Sequence, residues 1–541
     1  MKARSHAPLP FANTPWFVPG TNCWRTAASD RAAVLIDADA YFRAVAAAIE
    51  RAERSVLILS WDVDSRTPLP SGSPGGKPRT LGALLHKTLR RRPRLEVRVL
   101  NWDFAVIYAF EREFLPRLKR PWRAHPRLHF RFDGTHPLAA CHHQKVVVVD
   151  DAVAFSGGLD ICDRRWDTPA HAHDDERRID LGGKTYPPFH DVQMLVDGAA
   201  ARALGDLARE RWRKATGERL AAEVPRDGDP WPRGLVPDFT AVEVAIARTI
   251  PTGDAHRVPT DAARSTPAGP TADARPAVRE VEALFRDMIG AARRWIYAEN
   301  QYLTSSTIGA ALAARLEERD GPEIVLVVPR QGCGWLEEQT MSMRRKHVVD
   351  RLHASDRHGH LRVYAPAVDD VIVNVHSKVM VVDDTLLRVG SANLSNRSMA
   401  VDTECDLVIG ADDDRTRAGI RGVLHRLLGD HLGVAPATVA ATLSGSLIDA
   451  VEALRGQPHT LTPLVDTPAS WLEGLPSEAH LFDPAEPIDP ADLLGTFLSA
   501  IRDDCTRPWL PFAAGALGFL AGWIFGRSNG PRRSPSRVRH G

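Results

Sequence analysis

Two sets of residues in this chain repeat one spacing of imidazole, ammonium and carboxylate. His143, Lys145 and Asp150 stand in the pattern H-x-K-x4-D, and His376, Lys378 and Asp383 repeat it far downstream. Each copy runs into a turn of small residues at the same offset, Gly157-Gly158 after the first and Gly390-Ser391 after the second. The two stretches align without a gap. A lone His-x-Lys on an apolar strand is commonly a surface or core accident, but a duplicate with a matched turn marks a site.

On an extended strand, side chains two residues apart share a face, so His143 points with Lys145 and His376 with Lys378. Two imidazoles and two ammonium groups converging on one cleft suit an anionic substrate that passes through five-coordinate phosphorus. The lysines neutralise its non-bridging oxygens. One His attacks and forms a covalent intermediate, while the other protonates the leaving alcohol and later takes a proton from water or a second alcohol. The two rings need different protonation states, which different surroundings supply near neutral pH.

Asp150 and Asp383 belong to the same catalytic motifs, yet their odd offset from the His turns them to the opposite strand face, and a structural part is expected of them. In the turns, Gly158, Ser391 and Asn393 are candidate phosphate binders. Asp160, the counterpart of Asn393, would repel a phosphate and is expected to hold a loop or a His. The scheme calls for no metal or other cofactor. Cys141-His142-His143 is not read as a metal site, because neighbours on a strand diverge and no partner pair has ligand spacing.

The elements that must carry these motifs also come twice. Helical and strand patterns alternate over 41–54, 56–61, 81–92, 95–100 and 104–115, and the first motif follows on a strand. A polar segment over 163–188, a strand over 192–196 and a helix over 199–216 complete this half. Prolines mark a break, and a Pro/Thr/Ala loop fills 250–276. Then the order returns. Val281, Leu284, Phe285, Met288, Ile289 and Ala292 make a helical stripe, strands are expected over 295–298 and 324–328, and the second motif follows. This points to an α/β fold of two duplicated lobes, each a mixed sheet flanked by helices, with the site between them. The expected organisation is an arm (1–22), a first lobe (23–222), a linker and loop (223–277), a second lobe with closing helices (278–456), a Pro-rich connector (457–507), an apolar segment (508–526) and a basic tail (527–541).

A chain of 541 residues is long enough for two such lobes. Its 69 basic and 68 acidic residues leave a formal net charge of +1, which gives no reason to expect nucleic acid as partner. Six cysteines without CxxC spacing indicate neither a zinc knuckle nor a disulfide framework. The N-terminal stretch has no apolar run of seven or more, so no secretory signal is expected. Residues 509–525 carry no charge, and the tail beyond them holds five arginines and no acid. That apolar length sits at the lower edge of a membrane span. The expectation is a transmembrane helix that anchors a cytoplasmic catalytic part, with sidedness open, and that self-associates through Gly518, Gly522 and Gly526.

Both motifs, together with IYAENQY before the second, resemble the phospholipase D superfamily. GGLD after the first motif, RRWDTP at 164–169 and FHDVQ at 189–193 resemble its eukaryote-like branch. The resemblance covers roughly residues 17–430 and implies a pair of similar α/β lobes around a shared site. It implies His143 as nucleophile and His376 as acid/base, or the reverse, with Lys145, Lys378, Ser391 and Asn393 on the phosphate. Asp191 and Glu404 are the acidic residues it offers to orient the histidines. The implied substrate is a phospholipid in a membrane, with water or an alcohol as acceptor; a cardiolipin synthase-like phosphatidyltransferase is the alternative and a nuclease the weaker one. A non-catalytic lipid-binding scaffold is disfavoured because both His/Lys pairs are intact.

Overall fold

The computed structural model describes residues 16–70, 77–103, 122, 125–137, 140–224, 229–252, 277–330, 335–456, 458–464 and 483–486. The first half runs β1 (Arg25–Ile36), α1 (Asp37–Arg51), β2 (Ser55–Ser60), the two-residue strands β3 (Pro68–Leu69) and β4 (Arg79–Thr80), α2 (Leu81–Arg91), β5 (Glu96–Trp102) and β6 (Leu128–Asp133). It continues through β7 (Val146–Val149), β8 (Val153–Gly157), β9 (Phe189–His190), β10 (Val192–Asp197) and α3 (Gly198–Thr216). The second half runs β11 (Phe239–Ile250), β12 (Val278–Arg279), α4 (Glu280–Ala291), β13 (Trp295–Asn300), α5 (Ser306–Leu316), β14 (Glu323–Val327), α6 (Trp335–Ser355) and β15 (Leu361–Val368). After β16 (Val371–Ile372), β17 (Asn374–Val375), β18 (Lys378–Val382), β19 (Leu386–Gly390), α7 (Asn396–Ala400) and β20 (Glu404–Gly410), it closes with α8 (Asp414–Leu432), α9 (Pro436–Thr442), α10 (Leu447–Leu454) and β21 (His459–Pro463).

The duplication is visible strand by strand. In the first lobe β2, β5 and β6 pair in parallel, and the hairpin β7–β8 that follows the first motif lies antiparallel beside β2. In the second, β13, β14 and β15 are parallel and the hairpin β18–β19 lies antiparallel beside β13. From the hairpins, β10 and β20 lead inward to β1 and β11, which pair antiparallel at the middle. One sheet therefore spans both lobes.

Burial follows the strand period of two. Leu57 and Leu59 of β2, with Val34 and Ile36 of β1, join a central core shared with α3, α8 and the second lobe. The alternate residues Val56, Ile58, Ala33 and Leu35 pack under α1 and α2. Likewise Trp295 and Tyr297 of β13 face the central core, while Ile296 and Ala298 face α4 and α5. Strands covered on both faces carry near-continuous apolar runs such as SVLILS and VVVV, all buried.

Several expectations need revision. β1 runs from Arg25 to Ile36, ahead of the helix over 41–54 that is the first element read from the sequence. The stretch 223–277 contains a twelve-residue strand, β11, at the centre of the sheet. Proline-rich sequence on both sides hides it, although FTAVEVAIARTI has strand character. The helix expected over 104–115 lies outside the described residues. The transmembrane anchor is corrected: no helix among the described residues is long and apolar enough to cross a membrane, and 508–526 itself lies outside them. With it goes the anchored localisation, while the self-association expected through Gly518, Gly522 and Gly526 falls on residues outside those described.

Candidate active site

Each motif reaches the cleft by pairing with the other lobe. His143 and Lys145 immediately precede β7. The residue before them, His142, bridges Thr403, and the His143 amide donates to the Thr403 carbonyl at 3.1 Å. On the opposite side β17 pairs in parallel with β9, and the His376 amide donates to the His190 carbonyl at 2.8 Å. Lys378 then opens β18.

The carboxylates that orient the rings cross over in the same way. Glu404, at the start of β20, holds His143 Nδ1 at 3.0 and 3.1 Å with its two oxygens. Asp191, between β9 and β10, holds His376 Nδ1 at 2.6 Å. Each orienter thus belongs to the lobe that does not supply its ring. Glu404 is in turn fixed by the hydroxyls of Ser391 (2.6 Å) and Ser398 (2.7 Å). A carboxylate on Nδ1 places the N–H there and leaves the Nε2 lone pair outward, the tautomer a nucleophile or base requires.

The lysines are almost completely buried, and their ammonium groups are oriented differently. Lys145 Nζ lies 3.3 Å from Asp160 Oδ2 and donates to the His143 carbonyl at 3.2 Å. Lys378 Nζ donates to the Gln301 side-chain oxygen at 3.0 Å and to the His376 carbonyl, and lies 3.2 Å from His376 Nδ1. Burial first, then the neighbouring Lys145, lowers Lys378 to about 7, against the pull of Asp191. Burial together with Lys145 and Lys378 holds His143 well below the ordinary range. For His376 the causes are burial, Lys378 and Arg165. In both rings burial and the neighbouring cations favour the neutral form. Burial also raises Asp191, to about 6, and raises Glu404, eased there by the two serine hydroxyls.

The remaining motif residues have structural partners. Asp150 accepts the amides of Glu53, Arg54 and Ser55 at 2.7 to 2.8 Å. Asp383 accepts those of Arg293, Arg294 and Trp295 at 2.9 to 3.0 Å. Counted with the catalytic motifs, the two aspartates instead tie each hairpin to the start of its parallel strand, as their odd offset implied. Both stand in the left-handed backbone region, with φ of 55° and 51°. Gly158, read as a phosphate binder, has its amide occupied by the Val192 carbonyl at 3.1 Å. A Cβ there would overlap Asp191 Oδ1, so the glycine is needed to admit the orienting carboxylate. Ser391, also read on the phosphate, donates its hydroxyl to Glu404 instead. Asn393 is buried, with its backbone amide donated to Ser398 Oγ at 3.0 Å and its side-chain oxygen unpaired, so only its side-chain N–H groups could serve a phosphate. Asp160 holds a loop as expected, accepting Ser60 Oγ and Trp61 N at 2.8 and 3.1 Å.

Sequence reasoning did not single out Arg165, Gln301 or Ser398. The first two lie in RRWDTP and IYAENQY, segments it noted only for their likeness to a family. Arg165 brings a third cation toward His376 and Lys378 and stacks over Phe189, whose ring lies 5.4 Å from that of His376.

Residues 133–313 match the family profile described as phospholipase D, and 285–418 the one described as cardiolipin synthase, PLD-like domain. Phospholipase D alpha 1 of Ricinus communis is 25% identical over 516 residues, covering 72% of this chain and 63% of that protein. Phospholipase D alpha 1 of Nicotiana tabacum is 26% identical over 397 residues, covering 54% and 49%. The chain therefore spans about half to just under two thirds of the length of these relatives. A crystal structure of phosphatidylserine synthase from Haemophilus influenzae aligns with a TM-score of 0.49 at 14% identity, over 74% of this chain and 87% of that one. Profiles that between them take in both motifs agree with a site assembled from two like lobes, and the chain belongs to the phospholipase D superfamily.

Proposed function

We propose that this protein is a phospholipase D-type phosphodiesterase that hydrolyses or transphosphatidylates glycerophospholipids at a membrane surface through a phosphohistidine. The supporting observation is the crossed arrangement, in which each imidazole is held through Nδ1 by a buried carboxylate of the opposite lobe. His143 Nε2 attacks phosphorus, the P–N bond forms, and the bond to the headgroup oxygen breaks as His376 gives that oxygen a proton. With burial and the neighbouring cations favouring the neutral form of both rings, the proton is taken up when the phosphodiester anion enters and offsets Lys145, Lys378 and Arg165. Water or an alcohol then attacks phosphorus, His376 receives its proton, and the P–N bond breaks. Lys145, Lys378 and the side-chain N–H groups of Asn393 hold the non-bridging oxygens.

A phosphatidyltransferase of the cardiolipin synthase type shares this chemistry, and the profile matched by the second lobe favours keeping it as the second reading. Incubation with phosphatidylcholine, phosphatidylglycerol and DNA, with and without ethanol, separates these readings. Phosphatidic acid and phosphatidylethanol, both lost in His143→Ala and His376→Ala, support the phospholipase. Cardiolipin alone supports the transferase, and DNA cleavage alone rejects both. With a good leaving group the His376→Ala protein should accumulate a phosphoryl group on His143; accumulation in His143→Ala instead reverses the two roles.

A further inference from the structure

Beneath β9 lies a second, wholly buried cluster that the phosphodiesterase scheme does not use. Asp37 opens α1, His171 follows the RRWDTP segment, His190 ends β9, and Asp430 stands near the end of α8 in the second lobe. One ligand atom from each lies within 4.8 Å of all the others. His190 Nδ1 is 3.0 Å from Asp37 Oδ1 and 3.0 Å from Asp430 Oδ2; His171 Nε2 is 3.4 Å from Asp430 Oδ2 and 3.7 Å from Asp37 Oδ2.

Two further observations mark these contacts as ligand-like. Both oxygens of Asp37, Oδ1 of Asp430 and Nδ1 of His190 are buried without a hydrogen bond of acceptable geometry. Of the four cross-contacts only that of His171 Nε2 with Asp430 Oδ2, at 3.4 Å, is a hydrogen bond. Each imidazole is also aimed inward by a carboxylate on its far nitrogen: Asp167 on His171 Nδ1 at 2.9 Å, and Glu299 on His190 Nε2 at 2.8 Å. Asp167 and Glu299 stand where the outer carboxylates of metal-bound histidines stand.

We infer that Asp37, His171, His190 and Asp430 form a tetrahedral site for a divalent first-row transition cation, zinc being the best fit. Bonds of about 2.0–2.1 Å to a central ion place tetrahedral ligand atoms about 3.3 Å apart; the three distances that use one atom per residue run from 3.0 to 3.4 Å, and His171 meets Asp37 through its other oxygen at 3.7 Å. Two neutral imidazoles and two carboxylates balance a 2+ charge, which makes burial of such a group tolerable. Calcium is disfavoured, since it takes six or more oxygen ligands at longer range. The site is structural: it ties three segments of the first lobe to α8 of the second, and His190 is the neighbour of Asp191, the residue that orients His376.

The test uses tag-free full-length protein, purified without chelators or an immobilised-metal step. Elemental analysis should find about one equivalent of zinc or another first-row ion per chain. After removal with dipicolinate, titration with Co²⁺ should restore one equivalent and give the visible bands of a tetrahedral Co²⁺ centre. Asp37→Asn and Asp430→Asn, checked for folding by circular dichroism, should lose the bands. Metal content below about 0.1 equivalent, with no saturable Zn²⁺ or Co²⁺ uptake by the folded wild-type chain, overturns the proposal and leaves a proton-held ion-pair network. Bands that persist in both folded variants overturn it as well, placing the ion elsewhere. The wild-type measurement decides even where a variant does not fold. Phospholipid turnover plays no part in the readout.

Discussion

At the scale of single residues, the two histidines differ less in themselves than in what holds them. Glu404 reaches His143 with help from Ser391 and Ser398, whereas the shorter Asp191 reaches His376 because Gly158 leaves it room. Glu404→Gln and Asp191→Asn should each lower kcat by about 10²- to 10⁴-fold with little change in KM, as steady-state kinetics would show, because an amide no longer fixes the tautomer. An unchanged kcat in either would remove the orienting role. Lys378 supports a pH prediction. With its value depressed to about 7, the ammonium is charged below that pH and neutral above it. Inhibition by sulfate, whose own charge is constant, should therefore weaken as pH rises from about 6 to 8, and Lys378→Met should flatten the profile. The paired His and Lys of the candidate site were legible in the sequence because type and spacing repeat. Their environment was not: the serine and glycine of the turns serve the carboxylates, and nothing in a one-dimensional pattern says that Gly158 faces Asp191.

At the scale of elements, the alternation of apolar stripes and strand runs placed α1, α2, α3 and the parallel strands β2, β5, β13 and β14 to within a few residues, since local periodicity follows directly from burial on one face or two, while β6 and β15 were not read. β11 was missed because its evidence is mostly non-local: it is a strand between β1 and β20, flanked by prolines that read as linker. Equally hidden was the pairing of β9 with β17, two residues each, which sets the catalytic ring of one lobe against the carboxylate of the other. The β8–β10 corner gives this element-level geometry a direct test. Gly158→Ala would press a methyl group into Asp191 Oδ1 and displace the carboxylate from His376. A displacement of about 1 Å costs on the order of 10²-fold in kcat, so the variant should fold, bind sulfate as the wild type does, and turn over that much more slowly. Wild-type rates would show that the corner relaxes without moving Asp191.

At the scale of the molecule, seventeen of the described strands form one sheet whose central pair, β1 and β11, comes from different halves, and the largest core is shared by both lobes. Urea unfolding followed by tryptophan fluorescence and by far-UV circular dichroism should give one coincident transition. Two separated steps would show the lobes to be independent. The crossed orienters have a further meaning when viewed as symmetry. In a two-fold homodimer, residue i of one subunit meets residue j of its mate, and j meets i in return. His143 with Glu404 and His376 with Asp191 obey that rule inside a single chain. The site has the form of an isologous interface written once along one polypeptide, and covalent joining removed the requirement that its two sides be identical. Glu with Ser on one side and Asp with Gly on the other record that release, through which two equivalent rings became free to take unequal parts.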